Sequence, residues 1–189
     1  MSQSPHPSFQ EKISTDIGQI WIWKVAGRGL LEETGSKVVW QKKEVVRMLR
    51  TLGYSIDKLS YKPSGQPILM TGSKDYLSIS HTQDWFAIYI ASEPVGIDIE
   101  VERDSIEKGR EWFVNAQELS LYNGQNALHL IWGAKEAYYK KREGKIADLK
   151  NDVTIKEINN SGIQINHDGQ TTTLIYRKIE NVYVVWTID

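Results

Sequence analysis

The sequence predicts an α+β chain built on antiparallel strands, and three observations carry that expectation. Alternating apolar stretches "YLSIS" (76–80), "WFAIYIA" (85–91) and "VGIDIEV" (95–101) are separated only by "HTQD" and "SEP". Breakers this short leave no room for a helical crossover, so the three stretches read as an antiparallel meander. Four more strand-like stretches, near 153–158, 162–166, 171–177 and 182–188, are set off by "NNSG" and "HDGQ", and helical periodicity is confined to a few segments between the strands.

Taken in order, the opening "MSQSPHPSFQEKISTD" lacks the apolar core of a signal peptide and is expected to be a loosely held tail. "QIWIWKV" (19–25) reads as a strand. "SKVVWQKKEVVRMLRTLGY" (36–54) reads as a helix with Val38, Val45, Leu49 and Leu52 on one face and Gly53 at its C-terminal cap. A proline- and glycine-bearing loop, "YKPSGQPIL", leads to the meander. "DSIE" (104–107) has the form of a capping box, which predicts a helix through about Tyr122, and a further helix is expected from about Asn126 to Glu143, stopping at Gly144.

At 189 residues the chain can bury a core as one domain or as two small halves packed together. Its charge is nearly balanced, at −1, which argues against a general nucleic-acid or membrane-surface binder. No apolar run approaches a membrane span. With no cysteine there is no disulfide, thiolate zinc site or cysteine nucleophile, and the expected compartment is the cytoplasm.

"VGIDIE" (95–100) poses a charge problem. Residues two apart on a strand share a face, so Asp98 and Glu100 stand together while Ile97 and Ile99 enter the opposite side. Paired carboxylates repel, and a hard divalent cation is the usual remedy; an edge strand with an acidic solvent face is the alternative reading. On the later helix, "WGAKEAYYK" sets Glu136 and Lys140 four residues apart with Trp132 one turn earlier, an arrangement that a surface ion pair would also explain. "SISH" ends its strand with Ser80 and His81, and a histidine there is commonly a turn residue.

"SISH", "VGIDIE" and W-x-x-K-E-x-x-x-K, in that order, resemble the 4'-phosphopantetheinyl transferase superfamily, most closely from about Gly65 to Gly144. The resemblance implies two pseudo-symmetric α/β halves with antiparallel sheets and the active site between them, here 1–93 and 94–189 in one compact, monomeric unit. It implies transfer of the phosphopantetheine arm of coenzyme A to a serine of an acyl or peptidyl carrier protein, with Mg²⁺, releasing adenosine 3',5'-bisphosphate. Asp98, Glu100 and Glu136 would ligate the metal, and Glu136 would also be the general base. Lys140 would reach the pyrophosphate, and Ser80 and His81 the adenosine 3'-phosphate. Trp132 reads as packing, and Lys135, about 100° round the helix from Glu136, has a less direct role.

One departure stands out, because the turn before "SISH" reads "GQP" where longer family members usually carry Gly-Lys-Pro, leaving Gln66 to bind without charge. Lys43, Arg47 and Arg50 form a stripe opposite the apolar face and read as solvated. Lys42 lies nearer the apolar edge and can approach a cleft, with Arg28 and Lys37 as further candidates for the nucleotide end. A catalytically weak or inactive relative that binds coenzyme A or a carrier protein is the alternative. A Mg²⁺-dependent phosphoanhydride hydrolase would explain the acids but not "SISH".

Overall fold

The computed structural model, which describes residues 9–25, 36–55, 59–63, 65–69, 75–121 and 125–188, contains eleven strands in two antiparallel sheets among those residues. The first sheet contains β1 (Phe9–Ser14), β2 (Gly18–Lys24), β3 (Leu59–Tyr61), β4 (Pro67–Leu69), β5 (Tyr76–Thr82) and β6 (Trp85–Ala91), in the order β1-β2-β6-β5-β4-β3. In the second, β7 (Ile97–Val101), β8 (Thr154–Asn159), β9 (Gly162–His167), β10 (Gln170–Ile179) and β11 (Val182–Thr187) run in the order β7-β11-β10-β9-β8. Helix α1 (Lys37–Thr51) follows β2, and α2 (Gln125–Lys141) precedes β8. The α+β class with antiparallel sheets and few helices is therefore what the chain adopts.

Strand alternation explains the layers. On β2, Trp21 and Trp23 turn towards α1 while Ile20 and Ile22 turn inward; on β11, Tyr183 and Val185 join the α2 side while Val184 and Trp186 turn inward. Inward residues of both sheets, with Ile97, Ile99 and Val101 of β7, form a central core. The order of layers is thus α1, first sheet, second sheet, α2. Among the described residues no helix is long and apolar enough to cross a membrane.

Several expectations need correction. Residues 1–8 lie outside the described residues, but Phe9–Ser14 is no tail: it pairs with β2 as an edge strand. The 61–69 loop contains most of a hairpin, with Leu59 opposite Leu69 and Tyr61 opposite Pro67. Val38 is 58% exposed, whereas Val45 and Leu49 are buried as expected, on a face shared with Trp40, Gln41, Glu44 and Met48. Gly53 does terminate the helix, at φ +86°.

The meander is also broken. β5 and β6 pair, but β7 leaves for the other sheet and pairs with β11, Asp98 opposite Val185 and Glu100 opposite Tyr183. Pro94, which has no N–H to continue a ladder, lies in the crossing segment. The Gly96 amide then donates to Thr187 Oγ1 at 3.0 Å.

The helix expected after Arg103 is a 3₁₀ segment, Asp104–Trp112, followed by a shorter one at Leu119–Leu121. No side-chain cap forms, and Glu107 pairs with Arg110 at 2.8 Å instead of reaching back. Beyond it Asn115 folds the chain, its side-chain oxygen accepting from the Gln117 and Glu118 amides.

Lys135 locks this irregular stretch to α2. Its ammonium, wholly buried, meets both Glu118 oxygens at 3.0 Å and donates to the carbonyls of Phe113 and Lys150 at 2.8 and 2.9 Å. Glu118 in turn accepts the amides of Asn115 and Ile155. Burial pulls the Lys135 pKa down, and the Glu118 charge opposes that pull. Lys135→Met would strand a buried carboxylate, so urea unfolding should show a loss of about 3–5 kcal/mol. A loss below about 1 kcal/mol would mean that the pair is not what secures the segment.

Candidate active site

β7 places the two acids. Its odd-numbered residues Ile97, Ile99 and Val101 are buried between the sheets, which turns Asp98 and Glu100 towards α2. Close packing of that helix depends on glycine: a Cβ on Gly96 would stand 1.7 Å from the Ala137 carbonyl oxygen. β7 is also a sheet edge. Its free amides are taken by side chains of β5, Ile97 N–H by Ser78 Oγ at 3.1 Å and Ile99 N–H by Ser80 Oγ at 3.3 Å.

At this seam Lys140 makes its ion pair with Asp98. The ammonium donates to Asp98 Oδ1 at 2.8 Å, Ser80 Oγ at 3.0 Å and the Ile97 carbonyl at 3.0 Å, which uses its three protons. Ser80 donates to the same Asp98 Oδ1 at 2.8 Å. Glu100 Oε1 accepts from Trp132 Nε1 at 3.2 Å and pairs with Arg103 at 3.4 Å. The other oxygen of each acid, Asp98 Oδ2 and Glu100 Oε2, is buried without a partner.

Such orphans are costly. Burial, then the charge of Asp98, raises the pKa of Glu100, and the same two causes in the same order raise that of Glu136. Gly133 lets α2 pack closely beside Asp98, since a Cβ there would lie 2.9 Å from Val185 Cγ2 and 3.7 Å from Oδ2. Among the described residues no three carboxylate or imidazole groups form a ready-made metal cage. Two unpartnered carboxylate oxygens nevertheless fit a hard cation of the Mg²⁺ kind, which is commonly held by one or two carboxylates with waters and substrate phosphates completing its shell.

The remaining candidates lie around the end of β5. His81 follows Ser80 and so faces the α1 side, its ring 5.8 Å from that of Phe86. Partial burial lowers its pKa, and the nearby charges of Lys140 and Lys37 act in the same direction. Lys42 and His81 line one cavity with Tyr61; Gln66, Tyr139, Lys140 and Glu143 line another, and both share Gly65, Pro67 and Ile79. Gln66 Oε1 is buried and unpartnered. Lys43 and Arg50 are exposed and Arg47 pairs with Glu44, whereas Arg28 lies outside the described residues.

Residues 94–186 match the family model of the 4'-phosphopantetheinyl transferase superfamily. Over this segment, just under half of the chain, the sequence is similar to that superfamily. No curated protein matches the chain. The superfamily segment contains Asp98, Glu100, Glu136 and Lys140, while Ser80, His81, Gln66 and Lys42 precede it and stand beside it only through the fold. Three features of this site are not evident from sequence: the contact at Gly96, the close packing of Gly133 on Val185 and the donation from Trp132. The "VG" and "WG" dipeptides are the available signals for the two glycines.

The raised carboxyl of Glu136 has a consequence for stability. A group whose pKa rises on folding favours the fold below its unfolded value, near 4.5, and loses that contribution as pH rises through the folded value. In metal-free protein Glu136→Gln should therefore melt above the wild type at pH 7–8, with the gain vanishing below about pH 4. A variant that melts lower at pH 7–8 would show that the ionised carboxylate supports the fold.

Proposed function

We propose that the protein transfers the 4'-phosphopantetheine arm of coenzyme A to a serine of an acyl or peptidyl carrier protein. The observation that carries this reading is the pair of buried, unpartnered oxygens, Asp98 Oδ2 and Glu100 Oε2, beside the Lys140 ammonium. Buried polar atoms in structural networks are in the large majority of cases hydrogen-bonded, so two orphaned oxygens side by side on one strand favour a ligand site. The superfamily match over residues 94–186 suggests the reaction class.

Asp98, Glu100 and Glu136 are the residues that would hold Mg²⁺, and a bound Mg²⁺ would neutralise charge building on the pyrophosphate as the phosphoanhydride breaks. Lys140 lends a fixed positive charge to the same end of the substrate. His81 and Lys42 bind the adenosine 3'-phosphate from the α1 side, with Gln66 contributing an uncharged contact at the turn. The carrier serine oxygen attacks the β-phosphorus, its proton passes to Glu136, and the bond to the bridging oxygen breaks to release adenosine 3',5'-bisphosphate.

The unit is read as a monomer of two halves, 1–93 and 94–189. What supports this is that β5 of the first sheet and β7 and α2 of the second complete the charge cluster within one chain. The cytoplasm, where coenzyme A and carrier proteins meet, is the proposed compartment.

Incubation with coenzyme A, Mg²⁺ and a panel of carrier proteins, read by mass spectrometry, tests the reading. At least one carrier should gain a phosphopantetheine on serine, chelation should stop the gain, and Glu136→Gln should lower turnover by roughly 10²-fold or more. Coenzyme A binding with no carrier modified would favour the inactive relative. Hydrolysis of coenzyme A without transfer would assign a phosphoanhydride hydrolase.

A further inference from the structure

Ser80 is the residue whose geometry differs most from what its motif implies. It is 7% exposed, and its hydroxyl has one proton to give and two lone pairs to offer. All three are committed: the proton to Asp98 Oδ1 at 2.8 Å, the lone pairs to Lys140 Nζ at 3.0 Å and Ile99 N–H at 3.3 Å. Nothing remains for a phosphate. Strand alternation also sends His81 to the other face of β5, so the two side chains of "SH" serve different sides of the sheet.

The consequence falls on Asp98. Hydroxyl and ammonium converge on Oδ1 from different elements, β5 and α2, and together they fix the plane of the carboxylate. Oδ2 is thereby left as the oxygen without a partner, on the side of Gly133. Without the hydroxyl, Lys140 alone would hold the carboxylate, which could then rotate to offer the ammonium either oxygen or both. The free oxygen would be lost to an internal ion pair.

Ser78 provides a built-in comparison. It accepts the Ile97 amide at 3.1 Å as Ser80 accepts that of Ile99, so both hydroxyls fasten the edge of β7. Only Ser80 is bonded to the acid and the ammonium.

We propose that Ser80 is a positioning residue, which orients Asp98 so that Oδ2 is presented to a divalent cation, and is not a ligand of the nucleotide. The proposal rests on the site reading above for the purpose of that cation. It concerns the orientation of one carboxylate, which can be measured with or without transfer.

The test compares Ser80→Ala, Ser80→Thr and Ser78→Ala with the wild type. Mn²⁺ binding is followed by electron paramagnetic resonance, with and without coenzyme A, and the affinities for coenzyme A and 3'-dephospho-coenzyme A by calorimetry. Ser80→Ala should weaken Mn²⁺ binding about tenfold or more, as expected for loss of an outer partner of a ligand, and leave the preference for coenzyme A over its dephospho form unchanged. Ser80→Thr, which keeps the hydroxyl, should restore Mn²⁺ binding, and Ser78→Ala should leave it as in the wild type while removing a comparable strand contact.

Loss of the preference for the 3'-phosphate in Ser80→Ala would overturn the proposal by making the hydroxyl a nucleotide contact. Equal loss of Mn²⁺ affinity in Ser78→Ala would overturn it by reducing both serines to strand fasteners, and so would a wild type that binds no Mn²⁺ under either condition. A wild type that binds Mn²⁺ but transfers nothing would defeat the transferase reading alone, and its comparison with Ser80→Ala would still decide the role of the serine.

Discussion

The open edge of β7 is the constraint around which the rest of the site is arranged. A buried strand edge must have its amides satisfied, and here the partners are two serine hydroxyls on a strand of the other sheet. That choice joins the sheets without merging them. It also delivers one hydroxyl to Asp98 at the place where Lys140 arrives from α2, so a packing requirement and a charge cluster share the same atoms. The glycine contact at Gly96 sets how closely α2 can approach, and hence whether Lys140 reaches the seam.

Electrostatically the cluster is incomplete. The Lys140 ammonium, with Arg103 at the outer end of Glu100, faces three acids, Asp98, Glu100 and Glu136, and burial makes the latter two harder to ionise. A protein under selection for stability alone would replace such a group with apolar residues of the same volume. Lys135 and Glu118 show the contrast within the same helix: there every ammonium proton and both carboxylate oxygens find partners, and the pair closes the fold of an irregular segment. Adjacent letters of the "KE" dipeptide thus differ in character: Lys135 is wholly buried with every proton bonded, whereas Glu136 is half-buried with a carboxyl that is harder to ionise.

Local alternation is legible in the amino-acid sequence. The two faces of β7, the extent of α2 to within two residues, the four terminal strands and the cap at Gly53 follow from spacing and breaker residues. Tertiary choices are not legible in the same way. Whether β7 continues the meander or changes sheet depends on which edge is free after Pro94, and nothing in "VGIDIEV" names Thr187 as its partner. "DSIE" has the letters of a capping box, but Glu107 has a nearer cation in Arg110, and the turn is 3₁₀. "FQEKIS" is polar enough to pass for a tail, yet an edge strand needs only one apolar face, and Ile13 supplies part of it. At the site, the acids and Lys140 are readable from their types and intervals. The bonding of Ser80 is not, because a serine beside a histidine carries no mark of which face it serves.

The unsatisfied oxygens of Asp98 and Glu100 are proposed as a cation site for a pyrophosphate substrate. Diffraction at the manganese absorption edge from crystals of the coenzyme A complex grown with Mn²⁺ tests it most directly. The expected result is an anomalous peak bonded to Asp98 Oδ2, to Glu100 Oε2 and to a pyrophosphate oxygen, with the Lys140 ammonium against the same pyrophosphate. Coenzyme A bound in clear density with no metal beside those two oxygens, or with its pyrophosphate remote from Lys140, would contradict it.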